Sequence, residues 1–150
     1  MLFRSNNLFV FNTGISRQAS SVLSTQVENL KNDASTIENT IKTVEYAEVA
    51  ISYLINAELS EFGKLLDTAW NTKKKLAGGI SNAAIDKMYE DGLKNGALGG
   101  KLLGAGGGGY MLFYVPEKNH RSFTKKMIGY ESLDFNFTEQ GSTVEMFRDV

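Results

Sequence analysis

Between two apolar stretches, residues 104–109 read GAGGGG. Such a run brings almost no side chain to a core, and it is costly to order, because glycine loses more backbone freedom on folding than any other residue. It therefore has to serve the backbone itself. Gly104, Gly106 and Gly109 satisfy G-x-G-x-x-G, but in the dinucleotide fingerprint that turn opens a helix, and the YMLFYV that follows here reads as a strand. A P-loop is excluded as well, since Tyr110 stands where Gly-Lys-Ser/Thr must follow. Two readings remain. One is a flexible hairpin loop, for which one or two glycines suffice. The other is close approach, in which a stretch without Cβ atoms presses on another backbone or converges its N–H groups on an anion.

The flanking chain sets the fold class. NLFVF (7–11), closed by NTG, reads as a buried strand. A helix through about Asn32, capped by Ser16 or Thr13, carries Ala19, Val22, Leu23, Val27 and Leu30 at helical spacing. Ser35 and Glu38 form an S-x-x-E capping box ahead of a helix whose apolar stripe, Ile37 to Leu54, predicts core. A third helix starts near Leu59, with Trp70 on its buried face. It stops at Lys73, Lys74 and Lys75 followed by Gly78 and Gly79, cations and glycine being helix-end signals. Ser81 or Asn82 caps a fourth helix, with Ile85, Met88, Tyr89 and Leu93 inward. KLL (101–103) and YMLFYV then flank the glycine run as strands, Pro116 opens a short helix to about Met127, and LDFNF and TVEMF predict a closing hairpin. The order predicts an α+β domain, an antiparallel sheet of about four to five strands with helices packed on it.

Composition narrows the function. The 150 residues suit one domain, 42% are hydrophobic, and the net charge of −1 gives no polyanion-binding signature, so no nucleic acid is expected. Cysteine is absent, which removes disulfides, thiolate metal sites and a cysteine nucleophile, and fits a reducing, cytoplasmic setting. The single histidine, His120, excludes a multi-histidine metal site and is expected to be exposed and inert. No apolar run approaches the roughly 18 residues of a membrane span. Asp67, Asp86, Asp91 and Asp134 sit in patterns that predict solvent-facing carboxylates, so no catalytic residue and no metal ligand is assigned.

The stretch GGKLLGAGGGGYMLFYV resembles the third motif of the GHMP kinases (galactokinase, homoserine, mevalonate and phosphomevalonate kinases). NTGISRQASSVLSTQ, the long middle stretch from Phe62 to Gly109, and FNFTEQGSTVEMF are similar to the branch that phosphorylates D-glycero-D-manno-heptose 7-phosphate on its anomeric hydroxyl, over about residues 8–147. The resemblance implies a ferredoxin-like C-terminal domain, 1–150, of an ATP- and Mg2+-dependent sugar kinase. The phosphate-loop motif of the family's N-terminal domain does not occur in this sequence, so that domain, with the catalytic base, is expected as a missing partner and the 150 residues alone are expected to be inactive. Gly104, Ala105, Gly106, Gly107, Gly108 and Gly109 fall on the family's glycine loop, which implies contact with the nucleotide and the phosphate loop. Tyr110 replaces the usual Phe.

Ser16 and Arg17 are candidate contacts for a sugar phosphate, because a helix N-terminus with a guanidinium suits an anion. Lys101, beside the loop, could reach a phosphate or be a solvated strand-end lysine. Ser81 and Asn82 could face the sugar or simply cap. Lys73 to Lys75 could rim an anionic site or compensate a helix dipole. An exposed apolar face around 104–110 would dock the missing domain or, in its absence, a second copy. The rival reading is a non-catalytic binding module on the same fold, which a true start at Met1 would favour. An upstream reading frame encoding the phosphate loop would favour the kinase.

Overall fold

The computed structural model describes residues 6–17, 19–138 and 141. Its elements run β1 (Leu8–Asn12), α1 (Ala19–Asn32), α2 (Ala34–Ile55), α3 (Leu59–Lys73), α4 (Ala83–Lys94), β2 (Gly99–Leu102), β3 (Tyr110–Tyr114), a 3-10 turn (Glu117–Asn119), α5 (His120–Lys126) and β4 (Glu131–Leu133). The four strands form one antiparallel sheet in the order β2-β3-β1-β4, the α+β architecture that the element order predicts. TVEMF lies outside the described residues. LDFNF contributes only its first residue, Leu133, to β4.

The core is aromatic. Phe113 on β3 stacks on Tyr89 of α4 at 5.9 Å and meets Phe11 of β1 and Phe123 of α5 edge-on at 6.1 and 5.8 Å. Trp70, fully buried, extends the cluster from α3. Such pairs prefer these offset and edge-on geometries because ring faces are negative and ring edges positive. The helices also come unusually near the sheet. β2 begins at Gly99, two residues before the predicted KLL strand, and a Cβ there would meet the Gly63 carbonyl and the Asp67 amide of α3. Any side chain at 99 would therefore push α3 away from the strand.

Several sequence expectations are corrected. The helix before residue 55 starts at Ala34, and its cap is Asp33 in place of the Ser35–Glu38 box. The Asp33 carboxylate accepts from the amides of Ser35 and Thr36 and from both their hydroxyls. Those bonds, Thr36's hydroxyl first, lower its pKa. One carboxylate with four donors leaves nothing for a capping box to satisfy, and Glu38 pairs with Lys42 instead. The predicted core stripe of α2 faces outward, with Val44 61% and Ile51 58% exposed. The helix packs inward through a Thr/Tyr side, where Thr36 is buried and Tyr46 meets Thr72 of α3 at 3.4 Å. Amphipathicity fixes which side of a helix is apolar; what lies there to cover it is a matter of tertiary structure. Leu93, expected inward on α4, is 36% exposed.

Asp67 and Asp91, expected as free solvent-facing carboxylates, are engaged too. Tyr89 donates to Asp67 at 2.5 Å, and burial, then this bond, pushes its phenol far above the usual range. Asp91 takes Lys87 at 2.7 Å and the Tyr130 hydroxyl at 2.6 Å, tying α4 to the turn before β4. His120 is half-buried, with Nε2 at 2.9 Å from the Val115 carbonyl and its ring edge-on to Phe9.

The Asp91 cluster gives a pH test. Its carboxyl is held below 3.8, first by Lys87 and then by Tyr130. A depressed folded-state pKa contributes stability above the unfolded value, and that stability is lost as pH falls through the folded one. Urea melts of wild type and Asp91→Asn should therefore differ at pH 6 and converge as pH drops below about 3.8. A difference that persists undiminished in acid would refute the assignment.

Candidate functional site

The glycine loop joins β2 to β3 and is closed at its base by Leu103 N donating to Tyr110 O at 2.8 Å. Two distant segments grip it. TGISR (13–17) follows β1, and GGISN (78–82) precedes α4. Each contains Gly-Ile-Ser, and each presents its isoleucine carbonyl to the loop. Gly107 N donates to Ile80 O at 2.9 Å, and Gly109 N donates to Ile15 O at 3.0 Å. The Gly109 carbonyl in turn accepts from the Thr13 amide at 2.9 Å and from the Thr13 hydroxyl at 2.8 Å.

This answers why so many glycines stand in a row. A Cβ on Gly106 would lie 2.9 Å from Ile80 Cα. One on Gly107 would lie 2.9 Å from Arg17 Cδ and 3.0 Å from the Gly79 carbonyl, at φ +79°. One on Gly108 would run into the Ile15 carbonyl. The close-approach reading therefore holds against the bland hairpin, and the backbones approached belong to this chain. Gly104 and Gly109 face open space, but both have positive φ, the left-handed region that glycine tolerates.

The remaining candidates gather around this loop. Ser16 and Arg17 precede α1 in an irregular strap and do not open the helix, which begins at Ala19. Thr13, offered as a cap, is spent on Gly109. Arg17 lies across the loop, with Nη1 3.4 Å from the Gly79 carbonyl. Asn82 is the N-cap of α4, accepting from Ala84 and Ile85 amides at 3.1 Å. Ser81 donates to Asp86 at 2.7 Å. Both side chains are thus engaged in shaping the start of α4. Lys74 lies 3.8 Å from Asp86 and over the rings of Trp70 and Tyr89.

Lys101, half-buried on β2, adds charge beside Lys73. Burial, with that neighbouring ammonium contributing, brings Lys73 down to about 8. Lys73 turns inward onto the base of the loop, a role neither the anionic-rim nor the dipole reading covers. Its sequence signal, three consecutive lysines, does not say which one folds back. Leu103 and Tyr110 are the partly exposed apolar residues at the loop, while a longer apolar surface lies on α1 and α2 through Leu23, Val27, Ile37, Ile41, Val44, Ile51 and Ile55. Among the described residues, no three carboxylates, histidines or cysteines converge where they could hold a metal.

The glycine loop thus stands at the end of an antiparallel pair, clasped by a strap after the first strand and another before a helix. The chain belongs to the GHMP kinases, as their C-terminal domain: the family model described as GHMP kinases C terminal matches residues 50–128. The chain is 35% identical over 91 residues to the D-glycero-alpha-D-manno-heptose 7-phosphate kinase of Campylobacter jejuni, covering 59% of this chain and 26% of that one. It is 35% identical over 111 residues to the bifunctional fucokinase/GDP-fucose pyrophosphorylase of Arabidopsis thaliana, covering 73% of this chain and 10% of the other. The fold is also that of the L. major mevalonate kinase solved in complex with R-mevalonate, with TM-score 0.74 and 18% identity over 81% of this chain and 37% of that one. The chain thus spans about a quarter or less of the length of these two curated relatives.

The strap geometry predicts a contrast between two glycines that lack positive φ. Gly108→Ala should cost about 2–3 kcal/mol, because the new methyl meets a backbone carbonyl that cannot swing aside. Gly78→Ala, with nothing within 4 Å, should be neutral or stabilising by about 0.4–1 kcal/mol. Gly107→Val, which a freely exposed loop would tolerate, should also lower the melting temperature of the isolated chain. Thermal melts of the three variants read this directly, and equal melts for Gly108→Ala and Gly78→Ala would refute the clasp.

Proposed function

We propose that this chain forms one wall of the active cleft of an ATP-dependent sugar kinase and that its substrate is D-glycero-D-manno-heptose 7-phosphate, phosphorylated on the anomeric hydroxyl. The observation that carries the reading is the clasped glycine loop within a chain that belongs to the GHMP kinases. The C. jejuni relative's name supplies the sugar, and the A. thaliana relative, named for fucose, is the rival substrate class.

Phosphoryl transfer depends mainly on positioning and on stabilising charge on the transferred group. A loop fixed at both ends by backbone bonds is suited to that task, because it offers a surface without side chains that a second domain's phosphate loop can approach. Gly104 to Gly109 are then the nucleotide-side contacts. Arg17 and Lys101 bring positive charge to the same end of the sheet, which suits the anionic end of a sugar phosphate. Ser16 is assigned to the sugar. Ser81 and Asn82, engaged in the α4 cap, contribute through the shape of the GGISN strap. ATP supplies the phosphoryl group. Mg2+ does not fit the described residues, which offer no carboxylate cluster, and we assign both the metal and the base to the partner domain. Leu103 and Tyr110 are where that domain, or a second copy of this chain, would rest.

The chain alone, given ATP, Mg2+ and heptose 7-phosphate in a coupled ADP-release assay, should show no turnover above background. Turnover on the order of 1 s⁻¹, ordinary for an enzyme, would overturn the single-wall reading. Grafted in place of the matching segment of the C. jejuni kinase, the chain should support transfer to heptose 7-phosphate in preference to fucose. A folded chimera that prefers fucose would overturn the substrate assignment.

A further inference from the structure

Beyond the Leu103–Tyr110 bond that closes its base, the glycine loop is held in three places, and only two of them are explained by close packing. Its middle is fixed by Gly107 N on Ile80 O, and its exit by Gly109 N on Ile15 O and by Thr13. At its entry, Gly104 has φ +76° and open space around its missing Cβ. Sterics do not hold the chain there. What meets it is Lys73 at the end of α3, whose Nζ donates to Leu102 O at 3.1 Å and to Gly104 O at 2.5 Å. One ammonium thereby spans the step from the last residue of β2 to the first glycine of the loop. Its stem leaves a helix that is itself pressed on β2 at Gly99. Bonds to a charged donor are stronger than neutral ones.

We propose that Lys73 is a positioning residue for the glycine loop: by gathering the Leu102 and Gly104 carbonyls it sets the angle at which the loop leaves the sheet. The proposal rests on the kinase reading only for what the loop is used for. The partial burial of Lys73 and the nearby Lys101 ammonium bring its titration to about pH 8, within reach of a solution experiment.

The test uses the isotopically labelled 150-residue chain and no ligand. Lys73 Cε and the carbonyl carbons of Leu102 and Gly104 are followed by NMR between about pH 6.5 and 10. Both carbonyls should move with the Lys73 midpoint. Amide exchange is then compared in Lys73→Met and Lys73→Arg. In the methionine variant the Gly107 and Gly109 amides should exchange about tenfold faster or more, as local opening of the loop requires, while Leu98 N, bonded to Tyr114 O at the end of the β2–β3 pair away from the loop, should change less than about twofold. Arginine should restore protection. Carbonyls that stay still while Lys73 titrates would overturn the proposal. So would acceleration shared equally by loop and sheet, which marks a merely structural residue, or an unchanged loop. If the methionine variant does not fold, the wild-type titration decides alone. Because nothing here requires phosphoryl transfer, failure of the kinase reading leaves this result standing, and an untethered loop leaves the kinase reading standing.

Discussion

Everything at the glycine-loop end of this chain depends on backbone meeting backbone without side chains between. The Ile15 and Ile80 carbonyls reach the amides of Gly109 and Gly107 only because Gly106, Gly107 and Gly108 present no Cβ to the straps. An interior amide bond contributes about 1 kcal/mol net. The larger effect is exclusive: almost any side chain at these positions converts an attractive contact into a collision. The glycine run is therefore a steric requirement, and the conformational entropy it costs is offset by the bonds it makes reachable.

The same device recurs where helices meet the sheet. Gly99 lets α3 lie on β2, and Gly92 of α4 leaves room for the Phe113 ring. Close docking in turn carries Lys73 to the loop entry. Sequence, core and site are thus linked in one direction. Glycines set helix-to-sheet distance, that distance brings a helix-end lysine to the strand end, and the lysine meets the loop.

Much of this was legible in the residues. Strand and helix order followed from periodicity, from Gly and Pro punctuation, and from the change of period at KLL. Trp70 and the inward positions Ile85, Met88 and Tyr89 followed from helical spacing. What stayed hidden was anything that depends on which neighbour an element finds. The α2 stripe reads as core because spacing reports amphipathicity, yet α2 buries Thr36 and meets α3 through Tyr46. The Ser35–Glu38 box loses to Asp33 because a carboxylate two residues earlier already takes the Ser35 amide that Glu38 would have accepted from, and starts the helix at Ala34. For the glycine run, close approach stood beside a flexible hairpin, and the resemblance pointed to another domain's phosphate loop; Ile15 and Ile80 went unnoticed as its partners because they are distant in sequence and carry no polar side chain. Backbone carbonyls leave no mark in a sequence.

The straps also bear on the order in which the molecule assembles. Thr13 and Gly109 are 96 positions apart, and closing contacts of such separation is the slow part of folding. Helices α2 to α4 are built from local contacts and can form first. The loop's exit bonds wait until Thr13 and Gly109 have met. Because Gly109 is made after all of α1 to α4, a chain emerging from the ribosome exposes those four helical segments before the exit bonds of the glycine loop can close.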